Sequence, residues 1–186
     1  MNCYDDIKKL VSILLAMRDP WDHHGEGVAS LVVKMCHVMG MKESETNIIE
    51  TGAYLHDIGK LRIRSALLNL TRVLTTDERA EMQLHASMGW TIVEQAGYAQ
   101  TILDIVRYHH ERWDGNGYPD KLRGDAIPQA AQITSICDVY QSMTSKRSYR
   151  EAHSHSFTVA FMEQGRGKHF DPKLLSLFFD EIVNHD

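Results

Sequence analysis

Histidines and aspartates that could ligate metal ions recur along this chain, which has 11 histidines among 186 residues. Five positions lie at predicted helix ends or in apolar, helix-like surroundings: His24, His56-Asp57, His85, His109-His110 and Asp138. Successive groups are separated by 32, 29, 24 and 28 residues. One helix–turn–helix passage takes about that length, so each group can return to the same end of a helical bundle.

The residue types indicate transition-metal chemistry. Imidazole and carboxylate ligands together suit iron, manganese, zinc or nickel, whereas an all-oxygen site suits magnesium or calcium. Five histidines and two aspartates are too many for one tetrahedral zinc ion with an open position. They suit two ions of higher coordination if one carboxylate bridges them, and Asp57 is the natural bridge because it adjoins His56. Two neighbouring ions can activate a shared water and neutralise a phosphate's charge.

Each position has a plainer interpretation when it is taken alone. His24 and His85 would more often be helix-surface histidines than ligands. Asp138, in the apolar run ITSICDVYQSM, is harder to dismiss because an unpaired buried carboxylate is costly. The pair His56-Asp57 in AYLHDIGK is more suggestive still, and the regular intervals favour a metal site over coincidence. The remaining histidines are expected to be solvent-facing or structural: His23, His37, His153, His155, His169 and His185.

The elements that must position these residues are helices. Apolar residues recur mostly at three- and four-residue spacing, which predicts an all-α fold. The predicted helices cover 4–17, 24–39, 43–58, 77–96, 99–111, 126–145, 155–164 and 172–184. Two segments resist this assignment: 59–76, with a short helical turn around 65–68, and 113–128, which contains three glycines and two prolines. A long ordered loop in a helical domain is more often functional than idle.

Composition excludes several classes of protein. The chain has 20 basic and 25 acidic residues and a formal net charge of -5, which disfavours a DNA or RNA partner. Its length and 43% hydrophobic content suit one domain. Three widely spaced cysteines without a CxxC pair predict reduced thiols. The N-terminal stretch lacks a secretory signal and is too short and charged to span a membrane, so we expect a cytoplasmic protein.

HDIGK at 56–60 and HHERWDGNGYP at 109–119 resemble the HD-GYP subgroup of the HD phosphohydrolase superfamily. Further pieces follow in the family's order: H-x-x-x-V at 24–28, H-x-x-x-G at 85–89, D-x-Y-x-x-M at 138–143, R-x-Y-R at 147–150 and G-x-x-F-D-P at 167–172. The pair HD alone is a weak signal, whereas the eleven-residue HHERWDGNGYP is highly specific. The resemblance covers most of the chain.

The resemblance implies a compact HD-domain helical bundle with a long glycine-rich GYP loop. The domain would occupy residues 21–186, after an N-terminal helix or extension at 1–20. The implied activity is hydrolysis of cyclic di-GMP to linear pGpG, often continued to GMP, by a hydroxide that bridges a bimetallic centre. Iron or manganese is the expected metal, with nickel, zinc or magnesium as alternatives.

Carried over by motif, the two ions have overlapping ligand sets. One ion would take His24, His56, Asp57 and Asp138, and the other would take Asp57, His85, His109 and His110. Lys60 lies one turn beyond His56 and could contact the scissile phosphate or protonate the leaving oxygen. A lysine at a helix end is nevertheless usually a solvated charge. From the resemblance, Asp57 and Lys60 are nevertheless the expected catalytic residues.

Substrate contacts are expected from two further segments. Arg147 and Arg150 match family positions that hold ligand phosphates, and guanidinium groups suit phosphate oxygens. Tyr118 and Pro119 lie in the GYP loop, where an aromatic ring could pack on a guanine or a ribose. The same loop could equally dock a GGDEF-type cyclase.

The chain departs from the family pattern at four places. Gly27 stands where the usual H-x-x-R-V has arginine, and Gln141 stands where an aspartate commonly follows D-x-Y. Pro20 replaces the glutamate of members with a third metal, so we expect two ions. The segment 165–169 is more basic than usual. None of these changes removes an expected ligand.

Other functions stay open at this level. A related HD phosphohydrolase could act on another nucleotide such as 3′3′-cyclic GMP-AMP. A catalytically weak module could sense cyclic dinucleotides or dock a cyclase, and an oxygen-activating di-iron protein is the least favoured alternative. The protein could stand alone, assembled as a homodimer through its N-terminal helix, or be one domain of a longer chain. The initial Met1 favours the free-standing form.

Overall fold

The structure is a computed structural model that describes residues 24–146 and 151–183. Within these ranges the chain is helical and has no strand, which confirms the predicted all-α class. A single isolated bridge joins Arg166 and Phe170. The helix predicted at 4–17 and the extension predicted at 1–20 lie outside the described residues.

The described part of the chain forms eight α-helices. They are α1 His24–Val38, α2 Glu43–Leu55, α3 Ser65–Leu68, α4 Thr76–Gln95, α5 Gln100–Tyr108, α6 Gln129–Thr144, α7 His155–Gln164 and α8 Pro172–Phe178. Two 3-10 turns, Ile58–Arg62 and Gly124–Ala126, and a π-helical turn, Phe179–Val183, complete the order. The 3-10 turn at Ile58–Arg62 places helical structure where the sequence had predicted a loop.

Local signals set several helix starts. The Thr75 hydroxyl accepts the backbone N–H of Glu78, and the Glu78 carboxylate accepts the backbone N–H of Thr75, which forms a capping box for α4. Asp171 caps α8 by accepting the backbone N–H groups of Lys173 and Leu174 at 2.6 and 2.9 Å. Helix α6 begins after Pro128, three residues later than predicted.

The predicted helix 43–58 ends early because two backbones meet there. Helix α2 ends at Leu55, and a Cβ atom on Gly59 would lie 1.9 Å from the carbonyl oxygen of His85. On the other side, a Cβ atom on Gly89 would lie 3.1 Å from the nitrogen of Gly59. The glycines of HDIGK and H-x-x-x-G therefore let the 3-10 turn cross α4 at backbone contact.

Two apolar clusters hold the helices. The larger one lies between α1, α2, α6, α7, α8 and the π-helical turn, with Met35, Ile133 and Phe178 fully buried. The smaller one joins the end of α2 and the first 3-10 turn to α4 and α5 through Leu55, Val93 and other aliphatic residues. Over the ranges that the structure describes, no helix combines the length and apolarity that a bilayer span requires.

Candidate metal centre

The seven predicted ligands come from five separate parts of the bundle. His24 opens α1, His56-Asp57 follows α2, His85 lies in α4, His109-His110 follows α5, and Asp138 lies in α6. The side chains of His56, His85 and His109 are at most 2% exposed. The expected convergence of these groups at one place in the bundle is thus what the structure contains.

The first ligand group lies where the start of α1 and the end of α2 meet α6. Nε2 of His24 lies 2.8 Å from Oδ1 of Asp138, and Nε2 of His56 lies 4.0 Å from the same oxygen. His24, His56 and Asp57 each offer one ligand atom within 4.8 Å of the others. Asp138 lies outside that three-residue group but contacts His24, and with it these residues are the set that the resemblance implies for one ion.

The second ligand group lies on the Oδ1 side of Asp57. Its four members offer ligand atoms within 4.8 Å of one another: Asp57, His85, His109 and His110. Nε2 of His85 lies 3.4 Å from Nε2 of His109 and 3.4 Å from Oδ1 of Asp57. Asp57 is the member that both groups share.

Backbone carbonyls orient three of the histidines. Nδ1 of His56 lies 2.6 Å from the carbonyl oxygen of Ala53, and Nδ1 of His85 lies 2.7 Å from that of Met82. Nδ1 of His109 lies 3.1 Å from two carbonyl oxygens in the preceding turn. Each Nδ1–H donates to the helix and so turns Nε2 towards the ligand groups, where a neutral imidazole offers its lone pair to a metal ion.

The donors fit metal ions. Nε2 of His56 and Oδ1 of Asp57 are buried, and neither has a hydrogen-bond partner among the described residues. Buried polar atoms are normally paired because an unpaired one costs about 1–3 kcal/mol. Both atoms point into ligand groups of imidazole and carboxylate, the donors that first-row transition metals prefer. A His/Asp cluster able to hold metal ions is therefore present.

The charges in the site also suit metal binding. Burial lowers the pKa of His109 well below its usual range and lowers the pKa of His110 to about 3. Burial raises the pKa of Asp57, but the charges of Lys60 and His56 outweigh it and leave that pKa well below its usual range. Neutral His109 and His110 and ionised Asp57 are in the states that metal ligands require. Burial lowers the pKa of His56, but the carboxylates of Asp57 and Asp138 outweigh it and raise that pKa to about 9, so His56 would release a proton on binding a metal ion.

Lys60 lies at the edge of the cluster. Its Nζ is 2.5 Å from Oδ2 of Asp57, and its side chain is 34% exposed. The 3-10 turn places it three residues after Asp57, so the ammonium group lies between the shared carboxylate and solvent. The structure thus brings Lys60 to the site as expected, in an ion pair with the carboxylate itself.

A family profile for the HD domain matches residues 9–174. With HDIGK and the HHERWDGNGYP loop on one metal-ligand cluster, this match decides the family. The chain belongs to the HD-GYP subgroup of the HD-domain family.

Curated relatives of this HD-GYP domain carry two kinds of name. The 3′3′-cGAMP-specific phosphodiesterase 2 of Vibrio cholerae is 35% identical over 165 residues, which is 86% of this chain and 32% of that protein. The cyclic di-GMP phosphodiesterase response regulator RpfG of Xanthomonas campestris is 36% identical over 161 residues, 82% of this chain and 43% of that protein. The chain thus spans less than half the length of either relative.

The fold has solved counterparts. An HDG"Y"P protein from Bdellovibrio bacteriovorus superposes with a TM-score of 0.71 over 96% of this chain and 61% of its own, at 21% identity. Cyclic GMP-AMP-specific phosphodiesterase V-cGAP3 of V. cholerae gives 0.70 over 95% of this chain and 48% of its own, at 16% identity. At these identities the likeness supports the fold alone.

The GYP loop of the HD-GYP domain packs on the ligands. The ring centroids of Tyr118 and His110 lie 4.8 Å apart with an interplanar angle of 31°, and those of Tyr118 and His85 lie 6.3 Å apart in a T-shaped arrangement. The backbone N–H of Tyr118 donates to the carbonyl of His110 at 3.3 Å. The structure places this ring against two histidines of the ligand set, and the contact with a guanine or a ribose stays a prediction. Pro119 follows it, partly exposed.

Glu111 is a buried residue beside the ligands that the sequence reasoning did not single out. It is 2% exposed, and its Oε1 accepts the backbone N–H of Asp120 at 2.7 Å. A Cβ atom on Gly117 would lie 2.5 Å from Cα of Glu111, so the loop folds directly over the residue that follows the histidine pair. Glu111 thereby anchors the GYP loop beside His110. Its place in HHERWDG was the only available signal, since burial of a glutamate is not readable locally.

The remaining predicted residues fall into two classes. Arg147 and Arg150, assigned to the substrate phosphates, lie outside the described residues. Four of the histidines expected to be solvent-facing or structural lie within the described residues. None of them belongs to a ligand group: His37, His153, His155 and His169. The other two, His23 and His185, lie outside the described ranges.

Proposed function

We propose that this HD-GYP domain is a metal-dependent phosphodiesterase that hydrolyses cyclic di-GMP to linear pGpG or onward to GMP. The observation that carries the proposal is the position of Asp57. Its Oδ2 lies 3.3 Å from Nε2 of His56, and its Oδ1 lies 3.4 Å from Nε2 of His85. One carboxylate faces both ligand groups, which suits a bridge between two ions. Relatives named for cyclic di-GMP hydrolysis support the substrate class.

Seven side chains would hold two divalent ions, for which iron and manganese are the best candidates. His24, His56, Asp57 and Asp138 would hold one ion, and Asp57, His85, His109 and His110 the other. When bound, the ions supply the Lewis acidity that activates water and offsets the charge of a phosphate. Because only two of the seven ligands are anionic, the loaded site keeps positive charge for an anionic diester.

Lys60 would act on the phosphate or on the leaving group. Its ammonium group contacts Asp57 and is partly open to solvent, so a phosphate bound over the cluster lies within its reach. A positioned ammonium can stabilise the phosphate charge or donate a proton to the departing ribose oxygen. Arg147 and Arg150 remain our candidates for a second phosphate, as two guanidinium groups would suit the far side of a cyclic dinucleotide.

A second substrate has a specific observation in its favour. The Vibrio cholerae relative at 35% identity is named for 3′3′-cGAMP rather than for cyclic di-GMP. The ligand cluster would contact phosphate, which both molecules share, so the cluster itself gives no preference between the two substrates. The choice between guanine and adenine falls to residues around the bases, for which Tyr118, Pro119 and the segment 147–150 are the candidates.

The test is a comparison of substrates on metal-loaded protein. Protein purified without oxygen and reconstituted with Mn²⁺ or Fe²⁺ is incubated with cyclic di-GMP and with 3′3′-cGAMP in parallel, and products are separated by chromatography. We expect pGpG and GMP from cyclic di-GMP at the higher kcat/KM. Faster cleavage of 3′3′-cGAMP would reassign the substrate. Tight binding of both without any product from the metal-loaded protein would instead indicate a sensor.

Association with other proteins belongs to the same proposal. The GYP loop is a candidate surface for a GGDEF-type cyclase, and the chain is a candidate homodimer. Light scattering of the purified protein, with and without such a cyclase, gives the mass of each assembly. A monomer mass in both samples would rule out both associations at the concentration used.

A further inference from the structure

We propose that Gln141 is a positioning residue for the ligand His24, and that Gly27 is the residue that admits it. The inference rests on the proposed metal function, because it concerns how one ligand is held. It gives one structural explanation for two departures from the family pattern, at positions 27 and 141. Neither residue belongs to the predicted ligand set.

Helix α6 contacts both ring nitrogens of His24. Nε2 lies 2.8 Å from Oδ1 of Asp138, and Nδ1 forms a hydrogen bond with Oε1 of Gln141. Asp138 and Gln141 are three residues apart, so they lie on the same face of α6. One helix face therefore presents a candidate metal ligand and an orienting amide to the same imidazole.

The partner of His24 differs in kind from those of the other ligand histidines. His56, His85 and His109 place Nδ1 on a backbone carbonyl in their own preceding helical turn. His24 is the first described residue of α1, and its Nδ1 contacts a side chain of another helix. Outer contacts of this kind fix the tautomer and ring orientation of a metal-binding histidine. At His24 alone among these four, substitution of a side chain can remove such a contact.

Gly27 lies one turn after His24 and faces the same amide. A Cβ atom built on Gly27 would lie 2.5 Å from Nε2, 2.8 Å from Cγ and 2.9 Å from Cδ of Gln141. Gly27 lies inside α1 at an ordinary helical φ, so the backbone does not require glycine. The space that glycine leaves is filled by the Gln141 side chain, and any larger residue must displace it.

The experiment measures Mn²⁺ affinity by titration against a competing chelator. Gln141→Leu removes the acceptor at similar volume, Gln141→Glu keeps an acceptor oxygen, and Gly27→Ala displaces the amide. Gln129→Leu, the same change at an exposed position of α6, is the matched control. Circular dichroism and thermal unfolding of each metal-free variant establish that it is folded.

We expect Gln141→Leu to weaken one of two Mn²⁺ sites by roughly 10- to 100-fold. Gln141→Glu should retain affinity close to wild type, and Gln129→Leu should match wild type. Gly27→Ala should resemble Gln141→Leu. The double variant should be no weaker than either single one, because both remove the same contact.

Three results separate the possible failures. Wild-type affinity in folded Gln141→Leu would overturn the role of Gln141, and multiplying effects in the double variant would overturn the role of Gly27. Wild-type protein that binds two Mn²⁺ ions but hydrolyses no cyclic dinucleotide would sink the proposed activity and leave this inference standing. Wild-type protein that binds no Mn²⁺, Fe²⁺ or Zn²⁺ would remove both.

Discussion

Gly59 and His85 touch through their backbones: a Cβ atom on Gly59 would lie 1.9 Å from the carbonyl oxygen of His85. This contact sets the distance between the turn that follows Asp57 and helix α4. Since Asp57 lies two residues before Gly59, the same contact brings its Oδ1 to 3.4 Å from Nε2 of His85. A packing glycine and a shared carboxylate are therefore parts of one arrangement.

Gly59→Ala should damage folding and metal binding together. The added methyl group meets backbone rather than a movable side chain, so the turn must shift away from α4 at a cost of about 3 kcal/mol or more. Thermal unfolding and Mn²⁺ content measure the two effects. Gly97→Ala is the control, because it meets open space and carries only the strain of a positive φ, about 1–2 kcal/mol. Equal losses in the two variants would contradict the backbone contact.

Asp57→Ala should abolish hydrolysis and lower the metal content at the same time. The variant loses the one carboxylate that faces both ligand groups, so neither ion keeps its full set of donors. Elemental analysis and a product assay on the same preparation test the coupling. Asp77→Ala, an exposed aspartate in the first turn of α4, should leave both readings unchanged. Normal hydrolysis of cyclic di-GMP by Asp57→Ala would show that the shared-carboxylate assignment is wrong.

Lys60→Met should lower kcat while the metal content stays near wild type. Lys60 contacts Asp57 but supplies no metal ligand, and bound ions would compensate the carboxylate after its loss. Removal of a group that donates a proton lowers rates by about 10²–10⁴-fold. Steady-state kinetics measure the loss of rate, and elemental analysis measures any loss of bound metal. Lys173→Met, at an exposed position, is the control. Parallel loss of metal and rate would assign Lys60 to holding Asp57 instead.

Tyr118 variants distinguish nucleobase contact from support of His110. Because the ring packs on His110 at 4.8 Å, Tyr118→Phe should keep metal affinity and Tyr118→Ala should lower it several-fold. Chelator competition measures the affinity, and KM is measured alongside at saturating metal. A raised KM in Tyr118→Ala with unchanged metal affinity would support the nucleobase contact predicted from the sequence.

Much of the fold was readable from the sequence because its signals are local. The spacing of apolar residues follows the helical period, and Thr75 and Asp171 mark helix starts through their own chemistry. The start of α6 after Pro128 was predicted three residues too early. The helix predicted through residue 58 was wrong at its end. Its early stop depends on the crossing of α4, which lies outside the local sequence.

The sequence by itself determined the all-α class, the family and the seven ligand candidates, since these follow from residue types and their spacing along the chain. Only the tertiary structure decided which atoms face one another. It turned the two oxygens of Asp57 towards different histidines, buried Glu111 under the GYP loop and set Tyr118 against His110. It also placed Gln141 of α6 on His24 of α1. Such contacts arise from the packing of helices distant in sequence, and no local pattern encodes them.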